Sequence, residues 1–114
     1  MLAVVFYYEE GNRQMAVEQL TDQIRQKVAF AGGFGGKIKL KIDDADYILL
    51  DGDSTPPKVS NEDVESDATI KMSSDTLQGL INGTQDPTMA FMTGKIKVDG
   101  SMGYAMKLAS LLDD

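Results

Sequence analysis

The sequence contains neither cysteine nor histidine. Without cysteine there is no disulfide, thiolate metal ligand or cysteine nucleophile. Without histidine the chain lacks the commonest general base near neutral pH and the commonest transition-metal ligand. An enzyme of this composition would depend on Asp, Glu, Lys, Tyr, Ser or Thr alone, and no nucleophile–base arrangement of these is visible. We therefore expect a protein that is not an enzyme and that uses no cofactor.

Basic residues are also scarce, because 11 Lys and Arg stand against 18 Asp and Glu and give a net charge of −7. Phosphate recognition needs clustered Lys and Arg, and no such cluster is present. We expect no nucleic-acid partner and at most transient contact with an anionic membrane. The apolar run at residues 1–8 lacks a basic flank and is too short to cross a bilayer, so a cytoplasmic protein is expected.

Two loop patterns do not match the ligand sites that they suggest. Residues 31–37, AGGFGGK, have Ala31 where a phosphate loop requires Gly and Ile38 where it requires Ser or Thr. The acidic turns at residues 43–46 and 51–53 do not have the ligand spacing of a calcium-binding EF-hand. We interpret all three segments as loops exposed to solvent.

Hydrophobic periodicity predicts a mixture of strands and helices in one domain. Lysines alternate with Ile38, Leu40 and Ile42, as in a strand with one buried face. A stripe that includes Val17 and Ile24 recurs at helical spacing. The predicted strands are 38–42, 47–51, about 57–60, 68–72 and 95–99, and the predicted helices are 13–29, 74–82, 87–93 and 102–112.

The last predicted helix has two apolar stripes. The first consists of Met102, Ala105, Met106, Ala109 and Leu112, and the second of Tyr104, Leu108 and Leu111. A surface helix usually has one such stripe, so this helix must be covered on two sides. It is either a central core or dimer-contact helix, or one side faces the sheet and the other a ligand cavity. Methionine suits the second use because its flexible side chain repacks around varied apolar guests.

Residues 86–98, DPTMAFMTGKIKV, followed by residues 100–108, GSMGYAMKL, form a specific motif. With residues 67–70 and Asn82-Gly83, this motif resembles the sterol carrier protein 2 family of small lipid-binding domains, in its stand-alone, bacterial type. The similarity extends more weakly back to the first helix. We therefore assign residues 13–114 to the lipid-binding domain and residues 1–12 to an apolar arm of undefined role.

The resemblance implies an α+β fold with a five-stranded, mainly antiparallel sheet and four to five helices on one face, enclosing a hydrophobic cavity. It implies non-catalytic binding or transfer of a long-chain lipid, which could be a fatty acid, a fatty acyl-CoA, a phospholipid or a sterol-like molecule. The residues that we predict to line the cavity are Leu20, Ile24, Leu77, Ile81, Met89, Met92, Met102, Met106 and Leu108.

One alternative function stays open. The apolar surface could instead belong to a protein-interaction or dimerisation module that serves an enzyme of lipid or quinone metabolism, with a homodimer contact through residues 2–8. The arm at residues 1–12 could also replace an element that closes the cavity in longer family members. The final Leu112-Asp113-Asp114 differs from the small-basic-Leu tripeptide of peroxisomal members, so peroxisomal import is not expected.

Overall fold

The computed structural model describes residues 16–113, in which five strands and four helices follow one another in the predicted order. The N-terminal arm, the predicted start of the first helix at residue 13 and the predicted dimer contact at residues 2–8 lie outside this range. The elements are α1 (helical over residues 16–27), β1 (Lys37–Ile42), β2 (Asp46–Asp51), β3 (Lys58–Ser60), β4 (Ala68–Met72), α2 (Ser74–Asn82), α3 (Pro87–Met92), β5 (Lys97–Gly100) and α4 (Met102–Leu112).

The five strands form one sheet in the order β3-β2-β1-β4-β5. The pairs β1–β2, β2–β3 and β4–β5 are antiparallel, and β1–β4 is parallel. Asp43 and Asp44 take positive φ angles of 54° and 56° in the turn between β1 and β2, a conformation that Asp adopts more readily than most residues. The predicted α+β class and mainly antiparallel sheet are therefore confirmed.

The core lies between one face of this sheet and the helices. Ile38, Leu40 and Ile42 of β1 are fully buried, whereas the lysines between them are partly exposed, as the alternation predicted. Buried residues of α1, α2 and α4 belong to the same apolar cluster. Helix α4 packs on β1, β4, β5 and α2, and it thereby connects the sheet with the helical layer.

Two element boundaries differ from the prediction by two residues, and the other described boundaries differ by at most one. Strand β5 begins at Lys97 rather than at residue 95, because the backbone N–H groups of Lys95 and Ile96 both donate to the carbonyl oxygen of Ala90, at 2.8 and 3.2 Å. These bonds close the end of α3 before the strand begins. Helix α1 is followed by a turn at residues 28–30 instead of continuing to residue 29.

The lysines of β1 lie on the opposite face of the sheet, where they meet carboxylates. Lys37 Nζ is 2.9 Å from Asp53 Oδ2, and Lys39 Nζ is 2.7 Å from Asp63 Oδ1. The hydrogen bond that Lys37 donates to Asp53, together with the charge of Asp51, raises the pKa of Lys37 above its ordinary value. The lysine row is thus partly neutralised within the protein.

Within residues 16–113, no helix combines the length and the apolar character needed to cross a bilayer.

Candidate functional site: a cleft beside the last helix

A cleft of about 980 Å³ lies between α2, α3, α4 and the strands β4 and β5. All of the described residues that line it lie at or after Ile70 in the sequence. Phe91, Met102 and Met106 line it and are still 45%, 47% and 70% exposed, so the cleft is open to solvent. The enclosed cavity that was predicted with the fold stays a prediction.

The sheet side of the cleft is formed by β4, β5 and the residue before β5. Ile70 and Val98 are opposite each other in the β4–β5 ladder, and both side chains line the cleft. Ile96 lies two residues before Val98 and also lines it. Because side chains alternate along a strand, these residues point to the helical side while Lys97 and Asp99 point away. The floor of the cleft is therefore apolar.

Helix α4 forms one wall of the cleft with its first apolar stripe. All five residues of that stripe line the cleft: Met102, Ala105, Met106, Ala109 and Leu112. Tyr104 and Leu111, from the second stripe, pack instead against the buried core. Leu108 and Leu112 do both, since each is 3% exposed and also borders the cleft. One helix thus contributes to both the core and the cleft.

Contacts of Tyr104 hold the beginning of α4 in place. Its hydroxyl donates a hydrogen bond of 2.9 Å to the carbonyl oxygen of Gly35. Its ring meets that of Phe34 edge to face, with centroids 6.2 Å apart. A Cβ at Gly36 would lie 2.6 Å from Cε1 of this ring, so only glycine leaves room for it.

Two capped helices form the opposite wall. Helix α2 begins after Ser73, whose Oγ accepts from the N–H of Thr76, and ends at Gly83 with a left-handed φ of 79°. Helix α3 begins after Asp86, whose Oδ2 accepts from the N–H of Met89 at 3.1 Å, with Pro87 in its first turn. The short turn between these two helices places Leu80 and Ile81 beside Phe91 in the cleft.

The structure places the nine predicted lining residues in three different environments. Four line the cleft: Ile81, Met102, Met106 and Leu108. Three lie in the core and not in the cleft: Leu20, Ile24 and Leu77, which are 3%, 0% and 0% exposed. Two are exposed on α3 outside the lining: Met89 and Met92. Contact with a lipid stays a prediction for all nine.

Several lining residues were not among those predicted. They include Leu80, Phe91, Ile96, Val98 and Ala105. The signal for Ala105 was already present, because it belongs to the first stripe of α4. The inward positions of Ile96 and Val98 also followed from strand alternation. What periodicity does not give is which of the inward residues are covered by helices and which border open space.

Most of the remaining lining residues are polar. They are Gly83, Thr84, Gln85, Asp86, Thr88, Ser110 and Asp113, with Pro87 among them. Within residues 16–113 no group of three or more acidic side chains could hold a metal ion. A second, smaller hollow of about 350 Å³ is lined by Gln23, Gln26, Lys27 and Ile81, and its mainly polar walls do not suit an apolar guest.

Comparison with known proteins identifies the family that the sequence motif resembles. A model of the SCP-2 sterol transfer family matches residues 16–113. The sterol carrier protein 2 of Gallus gallus is 34% identical over 110 residues, which are 95% of this chain and 19% of that protein. The chain therefore spans about a fifth of the length of this curated relative.

Two solved structures from Aedes aegypti have the same fold. A solution structure of palmitated SCP2L2 is 21% identical, with a TM-score of 0.72, and the match covers 86% of this chain and 95% of that one. A structure of sterol carrier protein 2 in complex with palmitate is 16% identical, with a TM-score of 0.70, and the match covers 85% and 94% of the two chains. Identities this low establish the fold alone.

Proposed function

Because this chain belongs to the SCP-2 sterol transfer family, we propose that it binds a long-chain lipid in the cleft beside α4 and catalyses no reaction. The observation that carries the proposal is that the whole first stripe of α4 lines an open cleft of about 980 Å³. Palmitate in two proteins of the same fold supports a lipid as the guest. The lipid could be a fatty acid, a fatty acyl-CoA, a phospholipid or a sterol-like molecule, and transfer would involve transient membrane contact.

Burial of the lipid tail supplies the binding free energy. Transfer of a methylene group from water to an apolar surface contributes about 0.8 kcal/mol, so a long chain needs no strong polar contact. Ile70, Val98 and Leu80 offer such a surface on the floor and one wall of the cleft. Met102 and Met106 offer side chains that adapt to the shape of the guest.

A single substitution in the cleft tests the proposal. We expect delipidated protein to bind a fluorescent C16 fatty-acid analogue saturably, and Met106→Asp to weaken the affinity by at least about tenfold, because a carboxylate would be placed against the apolar tail. The matched control is Gly103→Asp, which adds the same charge in the first turn of α4. A Cβ at this position would have room, since it would only contact Ser101 Oγ at an ordinary van der Waals distance of 3.5 Å. If the wild type takes up no acyl chain, the proposed function is wrong.

A second candidate is an interaction or dimerisation module. Seven large apolar side chains of the described residues are exposed, and five of these belong to α3 and α4: Met89, Phe91, Met92, Met102 and Met106. Exposed apolar groups of this kind are typical of binding surfaces for proteins as well as for lipids. Native mass spectrometry separates the two functions, since a monomer with a lipid-sized adduct supports lipid binding and a dimer with an empty cleft supports the module. A cytoplasmic location stays a prediction.

A further inference from the structure

The polar lining of the cleft comes from two segments that both carry a carboxylate. The turn between α2 and α3 contributes Asp86, with Thr84 and Gln85 beside it, and the end of α4 contributes Asp113 with Ser110. Among the described residues that line the cleft, none is Lys or Arg. The lining thus has a formal charge of −2 and many hydrogen-bond acceptors.

The helix ends near these two segments contribute partial charges of both signs. Helix α2 ends at Asn82 and α4 ends at Leu112, and neither helix has a basic residue in its last turn. The carboxyl end of a helix carries a partial negative charge. One positive charge lies near the lining without belonging to it: Lys95 Nζ is 3.4 Å from Oε1 of Gln85, which does line the cleft. The amino end of α3 partly offsets Asp86, through the hydrogen bond to Met89.

We propose that the cleft selects lipids whose head group donates hydrogen bonds and bears no negative charge, namely a hydroxyl or an ammonium group. This proposal rests on the proposed lipid binding and narrows its ligand. A hydroxyl or ammonium can donate to the carboxylates of Asp86 and Asp113, and hydrogen bonds to charged acceptors are among the stronger ones. A carboxylate or phosphate head group would instead face two like charges with no cation in the lining.

The direct test uses ligands that share one tail. Hexadecanol, hexadecylamine and palmitate would each displace a pyrene-labelled fatty alcohol from delipidated protein at pH 8, below their solubility limits. We expect hexadecylamine to bind about tenfold more tightly than palmitate at low salt, since two carboxylates attract one head group and repel the other. Hexadecanol should fall between them. The ratio should shrink in 0.5 M salt because ions screen exposed charges.

Variants assign the preference to the two carboxylates. We expect Asp86→Asn with Asp113→Asn to bring the amine-to-palmitate ratio close to one. Asn caps helices as well as Asp does, so α3 keeps its first turn. The matched control is Glu62→Gln with Glu65→Gln, which removes the same formal charge from two exposed residues outside the cleft and should preserve the ratio.

The possible results separate this inference from the proposed function. If none of the three ligands displaces the probe and the probe itself does not bind, lipid binding in the cleft is wrong. If all three bind and palmitate is the tightest, lipid binding holds and the head-group inference is overturned. The inference is also overturned if the control pair changes the ratio as much as the cleft pair does, because the preference would then come from net charge alone.

Discussion

At the scale of single residues, the position of α4 depends on one aromatic side chain and the glycine beneath it. Tyr104 covers Gly36, contacts Phe34 and donates to the carbonyl oxygen of Gly35. None of these contacts is local in sequence, since 69 positions separate Tyr104 from its hydrogen-bond acceptor. Tyr104 therefore connects the wall of the cleft to the loop before β1.

We expect Gly36→Ala to lower the free energy of unfolding by about 1–3 kcal/mol, because the added methyl group would overlap the ring of Tyr104. In a Tyr104→Ala background, Gly36→Ala should lower the free energy of unfolding by much less, because the ring that the methyl group would overlap is absent. Urea unfolding of the wild type, both single variants and the double variant gives the coupling energy. Equal costs of Gly36→Ala in both backgrounds would show that backbone conformation, and not the ring, requires the glycine.

Methionine is the residue type for which the sequence was least informative. Four methionines were predicted to line the cleft, and the structure puts Met102 and Met106 there but Met89 and Met92 outside the lining. All four lie in the same motif and have similar apolar neighbours. Their environments differ because α3 is only six residues long and presents Phe91 to the cleft, so its other side faces solvent. The amino-acid composition alone does not determine which side of α3 faces the cleft.

At the scale of elements, capping residues mark the boundaries of α2 and the start of α3. Ser73 and Gly83 flank α2, and Asp86 with Pro87 begins α3, in agreement with the predicted helix starts at residues 74 and 87 and the predicted end at residue 82. These signals are local hydrogen bonds and φ preferences, which is why they can be recognised without a structure. The start of β5 could not be recognised from the sequence, because it depends on the carbonyl oxygen of Ala90 accepting hydrogen bonds from two N–H groups.

We expect Asp86→Ala to lower the free energy of unfolding by about 1 kcal/mol and Asp86→Asn to leave it nearly unchanged, because only the first removes the acceptor of the Met89 N–H. Urea unfolding at neutral pH measures both. Asp86→Ala should also weaken lipid binding, since α3 forms one wall of the cleft. A loss in Asp86→Asn as large as in Asp86→Ala would mean that the negative charge at the helix end matters more than the hydrogen bond.

At the scale of the whole molecule, the cleft and the first half of the fold are separate. None of the described lining residues precedes Ile70. Strands β1 and β2 supply Ile38, Leu40, Ile48 and Leu50, each fully buried by other protein groups. In the proposed function, the lipid therefore adds contacts to one side of the molecule only.

We expect lipid binding to slow amide hydrogen exchange in residues 80–92 and 102–112 and to leave β1 and β2 unchanged. Some amides can exchange only after the lipid has dissociated. Their exchange should slow about a hundredfold when the free lipid concentration is 100 times the Kd. Exchange monitored by mass spectrometry, with and without a saturating C16 lipid, gives the pattern. At the same lipid concentration, Met106→Asp should show at least about tenfold less protection. Uniform protection across β1 and β2 would instead indicate that the lipid enters the core.

The sequence predicted the fold more fully than the cleft, and the reason is physical. Alternation and helical periodicity show that Leu20, Ile24 and Leu77 are buried, and the structure confirms that they are. Periodicity does not distinguish a side chain packed against protein from one that borders open space, since both are apolar. That distinction depends on how closely α2, α3 and α4 approach one another, which is a property of the tertiary structure.

The two stripes of α4 also have a consequence for how the protein can change over evolutionary time. Met102 and Met106, on the cleft side, are largely exposed, so their replacement removes little from the core. Leu108 and Tyr104, on the other side, hold the helix to the sheet and the loop before it. Under the proposed function, substitutions at a few positions of one helix can therefore change which lipid is bound. The residues that hold this helix in the fold can stay the same.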